Sequence, residues 1–488
     1  MGAKTVQKSE TSPSVTKGPW LLAAAIFIGY AVMSLARFQR IAHGSFDLAL
    51  FTQAVAGYAK FEPPISNVRE HGYNVLGEHF HPILALLGPL YRLWPSPMTL
   101  LVAQALLIAV SVAPITRLAV ERLGTGSGYA VGAAYGLSWG LQAAVDFDFH
   151  EIAFAVPLIA FSLVAVVEQR FPHAIMWALP LVLVKEDLGF IVAGIGLVIA
   201  IRGKRLAGAV LGVFGIAATL IAIGILIPAI NPEGKYPFWK QAGGADPTTE
   251  QGPFGMISAL GEQLWTSGDV KVHTLFLLLL ATAFLAVRSP ITLIAVVPLG
   301  LRFISPNEFY WGTTFHYSAP LMPILFVAAI DALIRLRATE SAGQGLRDRA
   351  RKAWATHGAI AMLAIAIALT DKFPLSQYWD PKTMFSPEER VEAAWTAMAL
   401  VPDGATVETT LNLLAPLSGR TDTYWIGHAN NPVPQYVVFD QKHSGAPVPP
   451  QDPLRWISQR HGGAPFETIY ADRHGLFVFV SLGDAPSR

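Results

Sequence analysis

Long apolar runs separated by short polar connections dominate the first 370 residues. A helix that crosses a membrane needs about 20 apolar residues. Residues 82–94 are apolar but short and bounded by prolines, so we expect them to lie at the membrane interface. Residues 173–201 form two short runs, read either as two spans or as a re-entrant hairpin. About eleven spans are predicted: 20–36, 97–119, 127–143, 152–168, 173–187, 188–201, 206–230, 272–287, 290–304, 318–334 and 354–370.

The charged residues between these runs predict the orientation. Lysine and arginine mark cytoplasmic connections, and they recur on one side of the eleven-span arrangement. Counting 82–94 as a full span would move Arg117 and Arg122 to the other side. The pattern therefore predicts a cytoplasmic, disordered tail at 1–18 and a membrane domain at 19–370. Within that domain, residues 37–96 are the first outer loop.

The composition changes after Thr370, where proline, aspartate, glutamine and tryptophan become frequent. Strand-like runs occur at 435–439 and 475–480. A helix is predicted at 387–400, started by Ser386 with acidic residues in its first turn. Residues 371–488 are thus expected to form a small α/β domain outside the membrane. The chain contains no cysteine, so this domain must hold together without disulfides.

Composition excludes several classes of protein. Of the 488 residues, 52% are hydrophobic and only 14% charged, whereas a soluble protein has about a quarter charged residues. The chain is therefore an integral membrane protein, with its first apolar run kept as an anchor because no small-residue cleavage site follows it. A formal net charge of +1 gives no reason to expect nucleic acid. Gly124-x-Gly126-x-Gly128 follows no strand, so it is a turn and not a dinucleotide site.

Ionisable and aromatic polar residues gather in the predicted outer connections. A charge at membrane depth is costly unless it is paired or functional, and several connections sending such groups to one side indicate a shared cavity. The candidate residues are Arg37, Asp47, Glu78, His79, His81, Asp146, Asp148, His150, Glu151, Lys185, Glu186, Arg302, Tyr310, His316 and Tyr317.

Asp47 has two interpretations from the residue alone. As a functional group it is a general base that deprotonates an acceptor hydroxyl. As a structural group it pairs with Arg37 or Arg40. For Glu78-x-x-His81 and His79, the alternatives are a divalent metal site and hydrogen bonds to substrate or to Asp47.

Three further groups carry similar alternatives. Asp146 to Glu151 alternates acidic and aromatic residues and is either part of a site or a solvated loop with interface anchors. Lys185 either binds a phosphate or is neutralised by the acids that follow it. Arg302 either forks onto a lipid phosphate or pairs with Glu308. His316 and Tyr317 are expected to line the same pocket.

Seven short motifs occur in order along nearly the whole chain. They are Phe46-Asp-Leu-Ala-Leu-Phe-Thr-Gln53, Gly77-Glu-His-Phe-His-Pro82, Trp94-Pro-Ser-Pro97 with Gln104, Phe147-Asp-Phe-His-Glu151, Val184-Lys-Glu-Asp-Leu-Gly189, Ile227-Pro-Ala-Ile-Asn-Pro232 and Phe315-His-Tyr-Ser-Ala-Pro320. Together these motifs, in this order, resemble those of the DUF2079 family of predicted bacterial membrane proteins.

This resemblance implies a fold and a reaction class. The family is similar to the GT-C glycosyltransferases, which use lipid-phosphate sugars. The likeness implies a catalytic acid in the first outer loop, here Asp47, with interface helices in that loop and an outer C-terminal domain. Leu48 stands where related enzymes often carry a second acid, so Glu78, Asp146 and Asp148 are the candidates for that function.

We therefore hypothesise a multi-pass glycosyltransferase of the bacterial inner membrane. It would transfer a sugar from a polyprenyl-phosphate donor to a glycan or lipid-linked acceptor of the cell envelope, on the outer face. Arg302 and Lys185 would hold the donor phosphate. A transporter or flippase of a lipid-linked or polar substrate is the alternative, although no paired half-repeats are visible. The motifs do not require a cofactor. The one alternative is that the protein binds a divalent metal ion.

Overall fold

The computed structural model describes residues 13–42, 44–238, 261–338, 345–445 and 448–483, and up to residue 370 these are mainly helical. The helices of this membrane domain are α1 Pro13–Gln39, α2 Phe46–Ala59, α3 Gly88–Leu93, α4 Pro97–Leu123, α5 Thr125–Gly136, α6 Trp139–Phe147, α7 Ala155–Val167, α8 Phe171–Ala178, α9 Gly189–Ile201, α10 Arg205–Ile221, α11 Ile227–Ile230, α12 Gly268–Leu280, α13 Val296–Ile304, α14 Leu321–Ala338 and α15 Leu346–Thr370.

Several of these helices are long and apolar enough to cross a membrane, so the chain is a multi-pass membrane protein. Within the described residues they number five: Lys17–Gln39, Pro97–Leu123, Arg205–Ile230, His316–Ala338 and Leu346–Thr370. The other predicted spans are helical but shorter or broken. The predicted span 127–143, for example, is divided between α5 and α6 at Leu137 and Ser138. The count of eleven is therefore not confirmed, because hydropathy reports apolar length and not the continuity of a helix.

The segment predicted to lie at the interface is helical and short. Pro82–Leu87 forms a 3₁₀ helix that continues into α3. Proline at the first position ends the extended loop before it and starts this turn. Twelve residues rise too little to cross a bilayer, which fits the predicted position beside the membrane.

Ion pairs sort the connections into two ends of the helical bundle. At one end Arg117 contacts Glu168 at 2.8 Å and Arg202 contacts Asp331 at 2.7 Å. At the other end Arg37 contacts Asp146 at 2.9 Å. Among the described residues, no ion pair joins the two predicted sides of the membrane. We name these two ends the basic end and the polar end. The polar end is formed by residues 37–42, 44–47, 78–81, 146–151, 185–187 and 302–317.

Residues 171–201 connect these two ends and return. Arg170 is paired with Glu168 at the basic end, Lys185 lies at the polar end, and Arg202 is again at the basic end. The helices are short, but α9 lies very close to α10. A Cβ on Gly196 would come within 2.5 Å of the carbonyl oxygen of Gly208. Small residues permit such close contact between membrane helices.

Burial distinguishes central from peripheral helices. In the span His316–Ala338, 83% of the most apolar window is buried, whereas the value is 28% for Arg205–Ile230 and for Leu346–Thr370. The first span is therefore at the centre of the bundle. The other two present most of their apolar surface outward, as helices that face lipid do.

The C-terminal region is a separate α/β unit with one mixed sheet. Its strands are β1 Thr406–Thr409, β2 Asp422–Trp425, β3 Tyr436–Asp440, β4 Phe466–Ala471 and β5 Leu476–Ser481, and its helices are α16 Pro381–Phe385, α17 Glu389–Ala399, α18 Leu414–Ser418 and α19 Pro453–Arg460. The strand order is β2-β1-β3-β5-β4. Strand β1 is parallel to β2 and β3, and β5 is antiparallel to β3 and β4.

Two strands and one helix of this region were predicted from the sequence. The runs at 435–439 and 475–480 correspond to β3 and β5, and the helix at 387–400 corresponds to α17. The predicted start at Ser386 is wrong. The N-cap of α17 is Glu388, which makes no side-chain cap hydrogen bond. Ser386 is not the N-cap because Pro387 separates it from the first turn.

Candidate active site

Helix α2 presents Asp47 at the polar end. The helix begins at Phe46, and Asp47 lies in its first turn, where the helix dipole favours a negative charge. Phe51 is four residues later, hence on the same helix face. Its ring packs edge-on against His81 at 5.5 Å and His150 at 5.3 Å between centroids. Asp47 therefore faces the region where these histidines meet.

The carboxylate of Asp47 is half-buried. It makes no hydrogen bond or ion pair within the described part of the chain, and the arginines that were its structural alternative have other partners. Arg37 is paired with Asp146, and Arg40 donates to the side-chain oxygen of Gln377 at 3.0 Å. The pairing that would make Asp47 a purely structural group is thus absent from this structure.

The three candidates for a second acid also differ in whether their carboxylates have side-chain partners. Glu78 accepts two hydrogen bonds from Nε of Arg69, at 3.0 and 3.1 Å. Asp146 is held by Arg37. Asp148 is buried, and neither of its carboxylate oxygens has a side-chain partner among the described residues. Only Asp148 is therefore available beside Asp47.

The two acids also influence each other's protonation. Burial raises the pKa of Asp148 well above its usual range, and the charge of Asp47 raises it further. Burial also raises the pKa of Asp47, although the nearby His150 acts against this. Two carboxyl groups that are close to each other resist ionising together. The charge of Asp47 therefore disfavours the ionisation of Asp148.

A cluster of His, Glu and Lys residues lies next to this pair. The fully buried Glu151 contacts His150 Nδ1 at 2.6 Å through one oxygen and Lys185 Nζ at 3.3 Å through the other. Glu151 therefore joins the side chains of His150 and Lys185. The ring of His316 stacks on that of His150, with 3.5 Å between centroids.

Glu186 organises a second part of the cluster. Its oxygens contact His79 Nδ1 at 2.7 Å and accept hydrogen bonds from the backbone N–H of Phe80 and the hydroxyl of Tyr236, both at 3.1 Å. Burial and Lys185 act to lower the pKa of His79, but Glu186 outweighs both and the pKa is raised. Burial lowers the pKa of the neighbouring His81 to about 4. At neutral pH, His81 is accordingly a neutral ring that can donate or accept a hydrogen bond.

Arg302 is buried, and each of its three guanidinium nitrogens donates to protein. The acceptors are the carbonyl oxygens of Tyr310 and Gly312 and the hydroxyl of Ser318, the last at 2.9 Å. These bonds orient the side chain within the protein, and the expected ion pair with Glu308 is not formed among the described residues. The arginine therefore holds the loop that carries Tyr310, His316 and Tyr317.

Metal coordination finds little support in the described residues. No group of three or more His, Asp or Glu side chains in them is arranged to hold a metal ion. Within the predicted Glu78-x-x-His81 motif, Glu78 is engaged by Arg69.

Two polar residues position the site and were not assigned roles from the sequence. Gln104 of α4 donates to the carbonyl oxygen of Asp148 at 2.6 Å and accepts from the N–H of His150 at 3.0 Å. Asn231 donates to the carbonyl of Gly77 at 2.8 Å, and a Cβ on Gly77 would lie 2.9 Å from the Cα of Asn231. Gln104 and Asn231 both belong to the sequence motifs described above. For Gln104, the signal available in the sequence was a glutamine inside a predicted apolar span.

The C-terminal domain contacts the chain directly before Asp47. The backbone N–H of Ala415, in α18, donates to the hydroxyl of Ser45 at 2.8 Å. Ser45 is fully buried and has a φ of 70°, a left-handed conformation uncommon for a residue other than glycine. The ring of Phe46 packs edge-on against Trp425 of β2, at 5.3 Å. The domain thus fixes the start of α2.

Comparison with known proteins places the chain in a family. The family model described as "Predicted membrane protein (DUF2079)" matches residues 37–474. Crystal structures of ArnT from Cupriavidus metallidurans, bound to undecaprenyl phosphate and in the apo state, are similar to this chain, with 14% sequence identity. The alignments cover 93% of this chain and 97% of ArnT, with TM-scores of 0.49 and 0.46. Comparison with curated proteins gives no match.

Proposed function

We propose that this chain, which belongs to the DUF2079 family of predicted membrane proteins, is a GT-C-type glycosyltransferase. In this proposal it transfers a sugar from a polyprenyl-phosphate donor to a cell-envelope acceptor at the outer face of the bacterial inner membrane. One observation carries the proposal: among the described residues, neither Asp47 nor Asp148, whose pKa the charge of Asp47 raises, has a side-chain partner, and a cluster that contains Lys185 lies beside them. Strongly perturbed ionisable groups concentrate at functional sites.

Asp47 is the general base in this mechanism. The acceptor hydroxyl gives its proton to Asp47 as its oxygen bonds to the anomeric carbon of the sugar. The bond between that carbon and the phosphate oxygen breaks, and polyprenyl phosphate leaves with the electron pair. A base must keep a free lone pair within reach of the hydroxyl, and Asp47 fulfils that requirement. Asp148 is the second acid, because Glu78 and Asp146 are engaged by arginines.

Lys185 is assigned to the departing phosphate. Its ammonium group has three N–H donors, and among the described residues it makes one ion pair, to Glu151 at 3.3 Å. Stabilising the charge that develops on a leaving group is the largest single contribution in many enzymes. Arg302 was expected to share this role. Because three protein acceptors take up its guanidinium, we assign it instead to holding His316 and Tyr317 in the pocket wall.

The histidines provide hydrogen bonds to the sugar and the acceptor. His79 and His81 lie on one connection and His150 on another, and these side chains meet around Phe51 and the Glu186 and Glu151 carboxylates. Such rings suit hydroxyl-rich ligands because each can donate and accept. The proposal therefore names the sugar and the acceptor only as hydroxyl-rich ligands.

The test is transfer of radiolabelled sugar from polyprenyl-phosphate donors in membranes that contain the protein. Wild type is compared with Asp47→Asn at equal expression. Glu62→Gln is the matched control, because Glu62 is an exposed acid of the same outer loop that belongs to no part of the site. We expect transfer by wild type and by Glu62→Gln and its loss in Asp47→Asn.

Two results would contradict the proposal in different ways. Full activity of Asp47→Asn would show that another group is the base, with Asp148 next to be tested. Absence of transfer by wild type from every donor tried would favour the alternative function, a transporter or flippase of a lipid-linked substrate. Flipping of a fluorescent polyprenyl-phosphate lipid in proteoliposomes would then be the measurement.

A further inference from the structure

A cationic groove lies at the basic end of the bundle, on the opposite side from the candidate active site. Its cavity has a volume of about 600 Å³ and lies between the end of α14, the start of α15 and the first turn of α5. The lining residues are Ser127, Leu336, Arg337, Arg351, Lys352, Ala355 and Thr356. Three of the described lining residues are cationic and none is acidic.

Arg337 forms the fixed wall of this groove. Its guanidinium donates to the carbonyl oxygens of Leu123 at 2.6 Å and Ala355 at 2.8 Å and to the hydroxyl of Ser127 at 3.0 Å. These acceptors are uncharged, so they orient the side chain without neutralising it. Five N–H donors are present in a guanidinium, and three are used here. A positive charge with two remaining donors is thus held in place by three helices.

The start of α15 supplies the second wall. Arg351, Lys352, Ala355 and Thr356 follow the spacing of one helix face. Lys352 is exposed and makes no hydrogen bond or ion pair within the described residues. Asp348 is on the same helix but does not line the groove. The face is therefore positive next to the apolar side chain of Leu336.

The position of the groove relative to the membrane defines the ligand. It lies where two long apolar helices, His316–Ala338 and Leu346–Thr370, reach the same end of the bundle. Trp354, half-buried beside the groove, is of the residue type that concentrates at the membrane surface. At this depth the anions present in quantity are the phosphates of phospholipid headgroups. Basic pockets between membrane helices bind such headgroups.

We propose that this groove binds the phosphate of an anionic phospholipid headgroup. Arg337 would be the preoriented donor, Lys352 and Arg351 would supply charge, and Leu336 would contact the start of an acyl chain. The site is separate from the proposed catalytic acids and does not depend on the proposed function.

The experiment measures lipid binding to the full-length protein. Purified protein in detergent is titrated with phosphatidylglycerol, and retained lipid and thermal unfolding are followed. Phosphatidylcholine and inorganic phosphate form the other arms, so that a lipid headgroup is distinguished from free phosphate. The site variant is Lys352→Gln with Arg351→Gln. The matched control is Arg347→Gln with Arg349→Gln, which removes the same charge from exposed positions of α15 outside the groove.

We expect phosphatidylglycerol to bind and raise the unfolding temperature, and the site variant to bind it more weakly. One basic residue near an anionic membrane surface contributes enough for about a fivefold change in affinity, so the double variant should lose more than tenfold. The control variant should retain wild-type binding. Equal losses in both variants would reduce the effect to general surface charge and overturn the site. Equal effects of phosphatidylcholine, or saturation by inorganic phosphate alone, would overturn the lipid assignment.

Discussion

Acidic side chains in the two domains of this protein differ in their side-chain partners and in the direction in which their pKa values are shifted. In the C-terminal domain, Glu408 accepts hydrogen bonds from Arg460 at 2.9 Å and Asn431 at 2.7 Å and contacts His461 at 3.0 Å. Burial acts to raise the pKa of Glu408, but the bonds from His461 and Arg460 outweigh it and the pKa is lowered. At the polar end of the membrane domain, Asp47 and Asp148 have no such side-chain partners among the described residues, and their pKa values are raised.

This difference separates structural acids from candidate reactive ones. A buried carboxylate with all its lone pairs used stabilises the fold and has none left for a substrate. A carboxylate left without partners costs stability but keeps its proton affinity available. Asp440 belongs to the first kind, since Arg390, His443 and Asn412 contact it. The predictions below test this distinction, beginning with the largest expected effect.

Removing either free acid should affect activity and leave stability intact. We expect Asp47→Asn and Asp148→Asn each to lower sugar transfer by about 10²- to 10⁴-fold, the usual contribution of acid–base catalysis. An acid whose pKa is raised on folding makes the fold less stable as the pH rises through that value. Its replacement by a neutral amide removes this cost. The unfolding temperature of both variants should therefore equal or exceed that of wild type.

The measurement is radiolabelled sugar transfer alongside thermal unfolding of the same preparations. A variant that loses activity together with several degrees of unfolding temperature would contradict the distinction. It would show that the acid contributes to the fold.

Removing Glu408, the paired acid of the C-terminal domain, should instead lower the stability of that domain. In Glu408→Gln, the charges of Arg460 and His461 lose their buried counter-ion. Breaking a buried ion pair on one side costs about 3–5 kcal/mol. Hydrogen exchange in the full-length protein should show the loss in β1 and β3. Wild-type protection in these strands would contradict the role given to Glu408.

The sequence predicted the broad arrangement because its signals are one-dimensional. Apolar runs, the position of basic residues and the change in composition after Thr370 gave the membrane domain, its two ends and a separate α/β unit. The polar residues that gather at one end, from Asp47 to Tyr317, were also recognisable because a charge in an apolar chain is conspicuous.

The partners of those residues were not recognisable, because pairing is decided by the fold. Arg37 is ten residues from Asp47 but pairs with Asp146. Glu78 has two histidines near it in its motif, His79 and His81, yet contacts Arg69. Hydropathy also missed the breaks between short helices, which depend on local backbone geometry. For the same reason it did not show Ser45 as the point where the two domains meet.

The same comparison predicts two separate pH dependences. For Glu408 and Asp440 the pKa is lowered on folding, from ordinary values of 4.5 and 3.8. Their stabilisation is therefore complete above those values and is lost as the pH falls below them. For Asp47 the pKa is raised above 3.8, so the base becomes protonated at a higher pH. On acidification, transfer should decline before the C-terminal domain loses protection.

Transfer rate and hydrogen exchange measured over the same pH series will check this order. In Asp440→Asn the acid dependence of protection in β3 should become shallower. Simultaneous loss of activity and protection would mean that unfolding, and not the protonation of Asp47, limits the enzyme in acid.

A smaller effect is expected where the domains meet. Ser45→Ala loses the hydrogen bond from Ala415, worth about 1 kcal/mol, and keeps the left-handed backbone. Ser45→Gly loses the same bond but relieves a conformation that costs on the order of 1 kcal/mol in other residues. The glycine variant should thus unfold at the higher temperature of the two. If Ser45 positions Asp47, both should reduce kcat more than they change KM, whereas a loss of stability alone would leave the kcat of the folded fraction unchanged.

The smallest effect tests whether burial, and not the mere presence of an arginine partner, makes an acid structural. Asp403 contacts Arg420 at 3.0 Å, in the same domain as Glu408, but its side chain is 82% exposed against 0% for Glu408. Exposed pairs contribute about 0–1 kcal/mol and are screened by salt. Asp403→Asn should therefore change unfolding by less than about 1 kcal/mol, and 1 M salt should remove even that difference. A loss of stability comparable to that of Glu408→Gln, persisting in high salt, would show that pairing itself, and not burial, determines stability in this domain. The comparison between the buried, paired acids of this domain and Asp47 and Asp148 would then no longer hold.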